Sequence, residues 1–287
     1  MPKKKRTRRL RGSDFLMRWS QGAWSEDQLV DAVNATQKFF ALPYGPSGTA
    51  PDDDPVAYEK YFERLDAAGL GSIKRPDLLI FPESARSKVN SMVEPLGGVA
   101  ELPFHTEDEE HIKALLSLAI MAVECENSLW KAKQMPNYTY TLKPQKRLGG
   151  KPGLAKNAVL PTIIMKDEDR GPLTEWQKRN PKLPLHIWHA FFDEAYGISF
   201  ADMNRLIDDG TIEPSVQEFS NAGQPSTKKT LYKAHYYLGY PLATSTQDPA
   251  LKAQTIVDKN GHIYPYVTFS GGKMALRDDA VRVLESL

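Results

Sequence analysis

The alternation of apolar and polar positions is clearest at residues 121–126, MAVECE. Successive residues of a strand point to opposite faces, so a strand here turns its even-numbered residues, Glu124 and Glu126 among them, to a single face. Residues 75–81, RPDLLIF, form a second apolar run with a single acid, Asp77. Acids are disfavoured inside strands, so these positions indicate function. The pattern predicts two neighbouring strands with one buried face and one face that carries chemistry.

The spacing of the two glutamates suits metal binding. Along a strand they stand about 6.5 Å apart, from a rise of about 3.3 Å per residue, so both side chains reach one group of cations. Asp77 on the neighbouring strand then completes an all-oxygen site. Such a ligand set is typical of Mg²⁺, which binds through a few carboxylates, water and substrate phosphate. The alternative is that the three acids are solvated residues at strand ends.

Helical periodicity and capping residues predict a series of helices between the strands. Helices are predicted over residues 24–34, 55–68, 111–119, 127–135, 173–179 and 201–209. Ser25 with Gln28 forms a capping box for the first helix, and Asp54 before Pro55 marks the start of the second. Further predictions are strands over residues 161–165 and 185–191 and a hairpin turn at residues 258–261. This order of elements predicts an α/β (α+β) fold with a mixed central sheet.

Other acidic residues have structural explanations. Glu26 lies in the first turn of the first predicted helix, where the helix dipole explains an acid, although it is also a candidate to approach the metal. Residues 107–110 form a solvated acidic turn that begins the helix at residues 111–119. The charged run at residues 166–169 ends a predicted strand, in the region where ligands of α/β sheets bind.

The composition indicates a globular protein. With 287 residues and 41% hydrophobic content, the chain is long enough for one large domain or two small ones. It contains no run of the roughly 18 apolar residues that a membrane helix requires, and no apolar segment follows its basic N-terminus. We therefore expect a cytoplasmic protein without a membrane partner. The single cysteine, Cys125, excludes an intrachain disulfide, and its position in the strand predicts an inert buried thiol.

The net charge of +1 conceals an asymmetry. Residues 1–12 carry seven basic residues and no acid, which leaves 30 basic and 36 acidic residues in the rest of the chain. Such a run predicts a disordered basic arm that contacts phosphate backbones. A nuclear-localisation signal is the alternative interpretation of the same run.

The acidic positions also carry a resemblance. Arg-Pro-Asp at residues 75–77, followed by Glu124 and Glu126, resembles the PD-(D/E)xK nuclease signature in its ExE form. The wider runs at residues 74–81 and 123–135 resemble type II restriction endonucleases of the AccI-like group. The resemblance implies a restriction-endonuclease-like core, in which helices flank a mixed central β-sheet, with a C-terminal extension.

The same resemblance implies a reaction. Asp77, Glu124 and Glu126 would be catalytic and bind Mg²⁺, and the metal would activate water to hydrolyse a phosphodiester bond of double-stranded DNA. This chain has a glutamate at the position where most members carry a lysine. Three lysines lie near enough in sequence to replace it: Lys131, Lys133 and Lys166. Alternatively, Glu126 binds the metal or positions water itself.

Two segments are candidates for DNA binding. Residues 138–156 combine basic, aromatic and glycine residues, which suits contacts with a phosphate backbone, and a solvated loop is the alternative. Residues 223–237 combine amide, hydroxyl and cationic side chains that can read base edges, and a surface helix is the alternative. The predicted DNA contacts are Arg75, Lys143, Lys146, Arg147, Gln224, Ser226, Thr227, Lys228, Lys229 and Lys233.

These observations predict a sequence-specific type II restriction endonuclease that depends on Mg²⁺. We expect a basic arm at residues 1–12, a nuclease core at residues 13–205, and a DNA-recognition and dimerisation region at residues 206–287. Palindromic sites are matched by two-fold dimers, so we expect a homodimer, and the resemblance implies a cognate DNA methyltransferase in the host. A non-catalytic DNA-binding protein is the alternative. A glycosidase with paired carboxylates ranks last, because the chain lacks acids flanked by aromatic residues.

Overall fold

The computed structural model describes residues 12–50, 54–219, 227–257 and 261–287. Within these ranges the helices are α1 (Ser13–Asn34), α2 (Pro46–Thr49), α3 (Pro55–Ala67), α4 (Arg86–Val93), α5 (Glu110–Leu116), α6 (Asp167–Arg179), α7 (Phe200–Asp208) and α8 (Asp278–Glu285). The strands are β1 (Phe39–Pro43), β2 (Leu78–Pro82), β3 (Met121–Asn127), β4 (Lys143–Pro144), β5 (Pro152–Gly153), β6 (Thr162–Lys166), β7 (Leu185–Ala190), β8 (Glu194–Ser199), β9 (Pro214–Phe219), β10 (Thr227–His235), β11 (Tyr240–Gln247), β12 (Ala250–Val257), β13 (Ile263–Ser270) and β14 (Lys273–Leu276).

A seven-stranded sheet forms the centre of the molecule, in the order β1-β2-β3-β7-β8-β11-β14. Strands β3 and β7 pair in parallel, and the other neighbours pair antiparallel. The predicted mixed central sheet flanked by helices is therefore confirmed. The arrangement is consistent with a restriction-endonuclease-like core.

A second sheet lies beside the central one. It has three antiparallel strands in the order β6-β10-β9. Residues 161–165 were expected in the central sheet, and that prediction is wrong, because β6 pairs with β10 instead. The alternative of a surface helix over residues 223–237 is also wrong, since β10 is a strand along Thr227–His235.

Both faces of the central sheet are buried. On one face, apolar residues of β2, β3 and β7 pack with helices α4, α5, α6 and α7. On the other face, they pack with α1 and α8. The predicted alternation of β3 is confirmed, because Ala122 joins the first cluster while Met121 and Val123 join the second. The prediction of a single buried face is wrong, since the face that carries Glu124 and Glu126 is also packed around Ala122 and Ile187.

Helix α1 begins earlier than the sequence pattern predicts. It starts at Ser13, so the expected capping residue Ser25 lies inside the helix. The Ser25 hydroxyl donates to the carbonyl of Gly22 at 2.9 Å, a bond within the helix rather than a cap. The inner face was predicted correctly, since Leu29 and Val33 are both buried.

The predicted helix over residues 127–135 is wrong. Strand β3 continues to Asn127, and only a 3-10 turn forms later, at Ala132–Gln134. Asp193 holds this segment, because its carboxylate accepts hydrogen bonds from the backbone N–H groups of Ala132 and Lys133 at 2.6 and 3.0 Å. A side chain distant in sequence has replaced the local helical bonding.

The C-terminal third contributes to both the central sheet and a separate hairpin. Strands β11 and β14 complete the central sheet, so residues after 205 contribute to it. The division of the chain into a core and a C-terminal region at residue 205 stays a prediction. Strands β12 and β13 pair antiparallel as a hairpin. Of its predicted turn at residues 258–261, residues 258–260 lie outside the described residues. Among the helices that the structure describes, none has the length and apolar character needed to cross a membrane.

The predicted cap of helix α3 yields a test of local stability. Asp54 accepts a hydrogen bond from the backbone N–H of Val56 at 2.8 Å, directly before the proline that begins the helix. We expect Asp54→Ala to lower the free energy of unfolding by about 0.5–2 kcal/mol, because it leaves an N-terminal amide unsatisfied. Urea denaturation measures the change. Asp54→Asn, which keeps the acceptor, should stay close to wild type, and equal losses in both variants would contradict the cap.

Candidate active site

Asp77 lies immediately before β2, and the register of β2 against β3 brings it beside Glu124. The two strands are antiparallel and Leu78 pairs with Val123. Asp77, which precedes Leu78, therefore lies opposite Glu124, which follows Val123. The carboxylate of Asp77 is buried and held at both oxygens. The Ser47 hydroxyl donates to Oδ1 at 2.5 Å, and the backbone N–H of Cys125 donates to Oδ2 at 2.8 Å. Asp77 is therefore fixed in place by the strand that carries the glutamates.

Glu124 is buried on β3 beside a lysine that the sequence pattern did not indicate. Lys74 Nζ donates to Glu124 Oε1, whereas Glu124 Oε2 is buried without a hydrogen-bond partner among the described residues. Burial and the neighbouring charge of Asp77 raise the pKa of Glu124 well above its usual value, against the opposing effect of Lys74. Lys74 stays protonated, because the surrounding carboxylates outweigh burial and raise its pKa.

Glu126 receives its partner from the second sheet. Lys166 at the end of β6 donates from Nζ to Glu126 Oε1 at 2.5 Å. Burial raises the pKa of Glu126, and the charge of Lys166 acts in the opposite direction. Of the three lysines that the sequence indicated, Lys166 is the one that contacts a motif carboxylate.

A third acid joins the two glutamates. Oxygen atoms of Glu124, Glu126 and Asp169 all lie within 4.8 Å of one another. Asp169 belongs to the first turn of α6, and its carboxylate lies 3.8 Å from Lys74 Nζ and 3.9 Å from Lys166 Nζ. Of the predicted ligands Asp77, Glu124 and Glu126, the two glutamates share this compact cluster with Asp169, and Asp77 lies beside it. The charged run after the strand was the available signal for Asp169.

Glu26 also reaches this region, from the opposite side of the sheet. It lies in the middle of α1, so the explanation by the dipole of a first helical turn is wrong. Its Oε2 is buried and has no hydrogen-bond partner among the described residues. Burial, followed by the charges of Asp77 and Glu124, raises the pKa of Glu26 well above its usual value.

The donor set fits a hard divalent cation. Carboxylate oxygens are the ligands that Mg²⁺ and similar cations prefer. The unpartnered oxygen of Glu124 lies in a group of acids in which burial, followed by the charges of neighbouring carboxylates, raises the pKa values of Glu124 and Glu26. A bound cation favours the ionised carboxylates and supplies the missing partner, because an opposite charge acts against both burial and repulsion.

Lys131 and Lys133, predicted as catalytic, make other ion pairs. Lys131 Nζ lies 2.9 Å from Asp248, and Lys133 Nζ lies 2.5 Å from the buried carboxylate of Glu194. The predicted helix over residues 127–135 would have placed both lysines beside β3. This described segment forms only a 3-10 turn, so the lysines lie elsewhere.

Arg75, predicted to contact DNA, is a buried structural residue with only 2% of its side chain exposed. Its guanidinium donates to the carbonyls of Leu102 and His105 and lies 3.6 Å from Glu107. Glu107 also accepts hydrogen bonds from Tyr44 and Trp176, so the prediction that it forms part of a solvated acidic turn is wrong. Arg75 is not accessible to a DNA backbone in this arrangement.

The other predicted DNA contacts divide into three groups. Lys143, Lys146 and Arg147 are exposed on the segment that contains the β4-β5 hairpin. Strand β10 carries Thr227, Lys228, Lys229 and Lys233, with Lys228 exposed and Lys229 paired with Glu168 at 2.5 Å. Gln224, Ser226 and the basic residues before Gly12 lie outside the described residues.

Cys125 is partly buried, on the face of β3 that the alternation predicted for it. Its side chain packs beside the cluster that faces α1 and α8. Burial raises the pKa of the thiol well above its usual value, and the nearby carboxylates act in the same direction. This shift favours the protonated thiol, and the backbone N–H of Cys125 donates to Asp77.

The fold and the site together define an α/β protein with a buried carboxylate and lysine cluster at one end of its central sheet. The chain matches the family described as AccI restriction endonuclease over residues 1–133 and 156–287. The chain belongs to this family of restriction endonucleases, DNA-binding hydrolases that cleave within DNA. No curated protein and no solved structure gives a significant match. The unmatched residues 134–155 include the β4-β5 hairpin.

The burial of Arg75 yields a prediction about stability. We expect Arg75→Ala to lower the free energy of unfolding by about 3–5 kcal/mol, because it leaves the Glu107 charge without its buried cation. Chemical denaturation measures this, with the exposed Lys143→Ala as the control that should stay near wild type. Arg75→Lys is the milder variant if the alanine variant fails to fold. Wild-type stability in both Arg75 variants would contradict the structural role.

Proposed function

We propose that the protein is a sequence-specific type II restriction endonuclease that hydrolyses double-stranded DNA with the help of Mg²⁺. The observation that carries the proposal is the convergence of Glu124, Glu126 and Asp169, within 4.8 Å of one another, in a chain of the restriction endonuclease family. The acids approach from β3 and α6, and Lys74 and Lys166 lie against them. Carboxylates and cations in this combination suit phosphodiester hydrolysis.

The carboxylates have different roles in this proposal. Glu124, Glu126 and Asp169 hold the metal, and Asp77, whose oxygens already accept two hydrogen bonds, fixes the end of β3 and adds negative charge beside the ligands. When bound, Mg²⁺ lowers the pKa of a coordinated water and stabilises charge on the phosphate. Glu26 contributes a further carboxylate at the edge of the cluster.

The lysines supply positive charge near the scissile phosphate. Lys166 takes the place of the usual motif lysine, because its Nζ contacts Glu126, the residue that stands at that motif position. It orients the attacking water or a phosphate oxygen by donating a hydrogen bond. Lys74 holds Glu124 in place and, as a permanently protonated group, stabilises negative charge that develops on the phosphate.

DNA contact and dimer formation complete the proposal. Strand β10 lies beside β6, so its Lys228, Lys229 and Lys233 adjoin the strand that ends at the active-site lysine. Hairpin β12-β13 exposes Leu251, Val257 and Ile263, each more than half exposed, which supports a contact between two subunits. A two-fold homodimer matches a palindromic site. We place the enzyme in the cytoplasm, together with a cognate methyltransferase that protects host DNA.

The direct experiment is cleavage of unmethylated phage DNA by purified protein, with and without Mg²⁺. Discrete bands that require Mg²⁺ are the expected result, because a sequence-specific enzyme cuts at fixed positions. Retarded migration without cleavage, over several DNAs and divalent metals, would instead favour a DNA-binding protein that does not catalyse hydrolysis.

The carboxylates can be tested individually. We expect Asp77→Asn, Glu124→Gln and Asp169→Asn each to lower the cleavage rate by at least about 100-fold, because each removes charge at the metal site. DNA binding measured by gel shift without metal should change little. Glu175→Gln is the matched control, since this exposed acid lies on α6 with Asp169. Normal cleavage by the Glu124 variant would exclude the proposed site.

The lysines can be separated in the same assay. We expect Lys166→Met to lower the cleavage rate by about 100-fold, because it removes the cation beside Glu126. Lys131→Met, which removes only an exposed ion pair with Asp248, should cleave at nearly the wild-type rate. The reverse order of effects would restore Lys131 as the functional lysine.

A further inference from the structure

A second group of side chains of metal-binding types lies outside the acidic cluster. It belongs to the segment of the chain that connects β2 to β3. His105 follows the 3-10 helix Val99–Phe104, Glu109 immediately precedes α5, and His111 is the second residue of α5. The three side chains converge although their positions fall on three different local structures. Their combination of two imidazoles and one carboxylate differs from the all-oxygen set of the active site.

The spacing of the three donor atoms is that of ligands around one small cation. His105 Nδ1 lies 3.0 Å from Glu109 Oε2, His111 Nε2 lies 3.1 Å from the same oxygen, and the two nitrogens are 3.3 Å apart. In a tetrahedral zinc site with bonds of about 2.0–2.1 Å, neighbouring ligand atoms are separated by roughly 3.3 Å. The donor triangle therefore matches the triangular face of such a site.

The carboxylate is oriented by a partner of its own. The backbone N–H of Thr106 donates to Glu109 Oε1 at 2.5 Å, and the Thr106 hydroxyl donates to the same oxygen at 3.2 Å. Oε2 is thereby directed at the two imidazoles. This division, with one oxygen held by the protein and the other available, is the arrangement of carboxylate ligands in metal sites.

The three side chains are 26%, 37% and 38% exposed, so solvent and a cation reach them. An oriented and accessible carboxylate beside two imidazole nitrogens is a donor set that suits a metal ion.

We propose that His105, Glu109 and His111 bind a Zn²⁺-type transition-metal ion, with its fourth coordination position open to solvent. Imidazole nitrogen is a good ligand for Zn²⁺, whereas Mg²⁺ prefers oxygen, so the two clusters select different metals. A site with three protein ligands keeps one position for water or another ligand.

The bound ion would also fix the segment next to the active site. The carbonyl of His105 accepts a hydrogen bond from Arg75, which lies two residues before Asp77. A metal that joins His105 to α5 therefore stabilises the turn on which the buried arginine rests. The expected effect is a higher midpoint of thermal unfolding when Zn²⁺ is added, in the absence of Mg²⁺ and DNA.

Metal binding by the full-length protein tests the proposal. The protein, prepared without a histidine tag and freed of metal by a chelator, is titrated with Zn²⁺ in calorimetry and with Co²⁺ in visible absorption. We expect one Zn²⁺ ion per chain and, with Co²⁺, the intense absorption of a tetrahedral ion. His111→Gln and Glu109→Gln should each weaken Zn²⁺ binding at least about 10-fold.

Two controls keep this test separate from the proposed nuclease function. Glu110→Gln alters the exposed neighbour of Glu109, which pairs with Lys113, and should leave Zn²⁺ binding unchanged. Glu124→Gln and Asp169→Asn should also retain one Zn²⁺ ion per chain even if cleavage is lost. Failure of the wild-type protein to bind Zn²⁺, or equal binding by wild type and His111→Gln, would overturn the proposal whatever the cleavage assay gives.

Discussion

The repulsion among buried carboxylates at the end of β3 is the constraint on which the rest of the site depends. Asp77 and Glu124 are buried, and Glu126 and Asp169 are partly buried beside them, so water screens their charges only weakly. Two lysines offset this repulsion, each from outside the pair of strands that carries the motif: Lys74 and Lys166. Without these cations, the strands would carry uncompensated buried charge, which is costly.

The second sheet is best understood through this constraint. Strand β6 pairs with β10 outside the central sheet. The side chain of its last residue, Lys166, nevertheless donates to Glu126 of β3. Helix α6 starts at the next residue and brings Asp169 to the same point. One short connection from strand to helix therefore supplies both a cation and an acid to the site.

The sequence predicted those parts of the site that local periodicity determines. Alternation along β3 placed Glu124 and Glu126 on a common face, and the apolar run after Asp77 identified the neighbouring strand. It missed Lys74 and misjudged Arg75, because the partners of both residues lie far away in the chain. Both neighbours are basic, and only the folded structure distinguishes Lys74, which pairs with Glu124, from Arg75, which donates to backbone carbonyls.

The parallel pairing of β3 with β7 has a consequence for how the molecule folds. Parallel strands require a crossover connection, and here the crossover spans residues 128–184 and contains both β6 and α6. Contacts between distant parts of a chain form slowly, because loop closure must precede them. The carboxylates of β3 thus meet Lys166 and Asp169 only after this long excursion has docked. Strands β2 and β3 therefore precede Lys166 and Asp169 in the chain, and the candidate site is complete only when the segment after β3 has folded onto them.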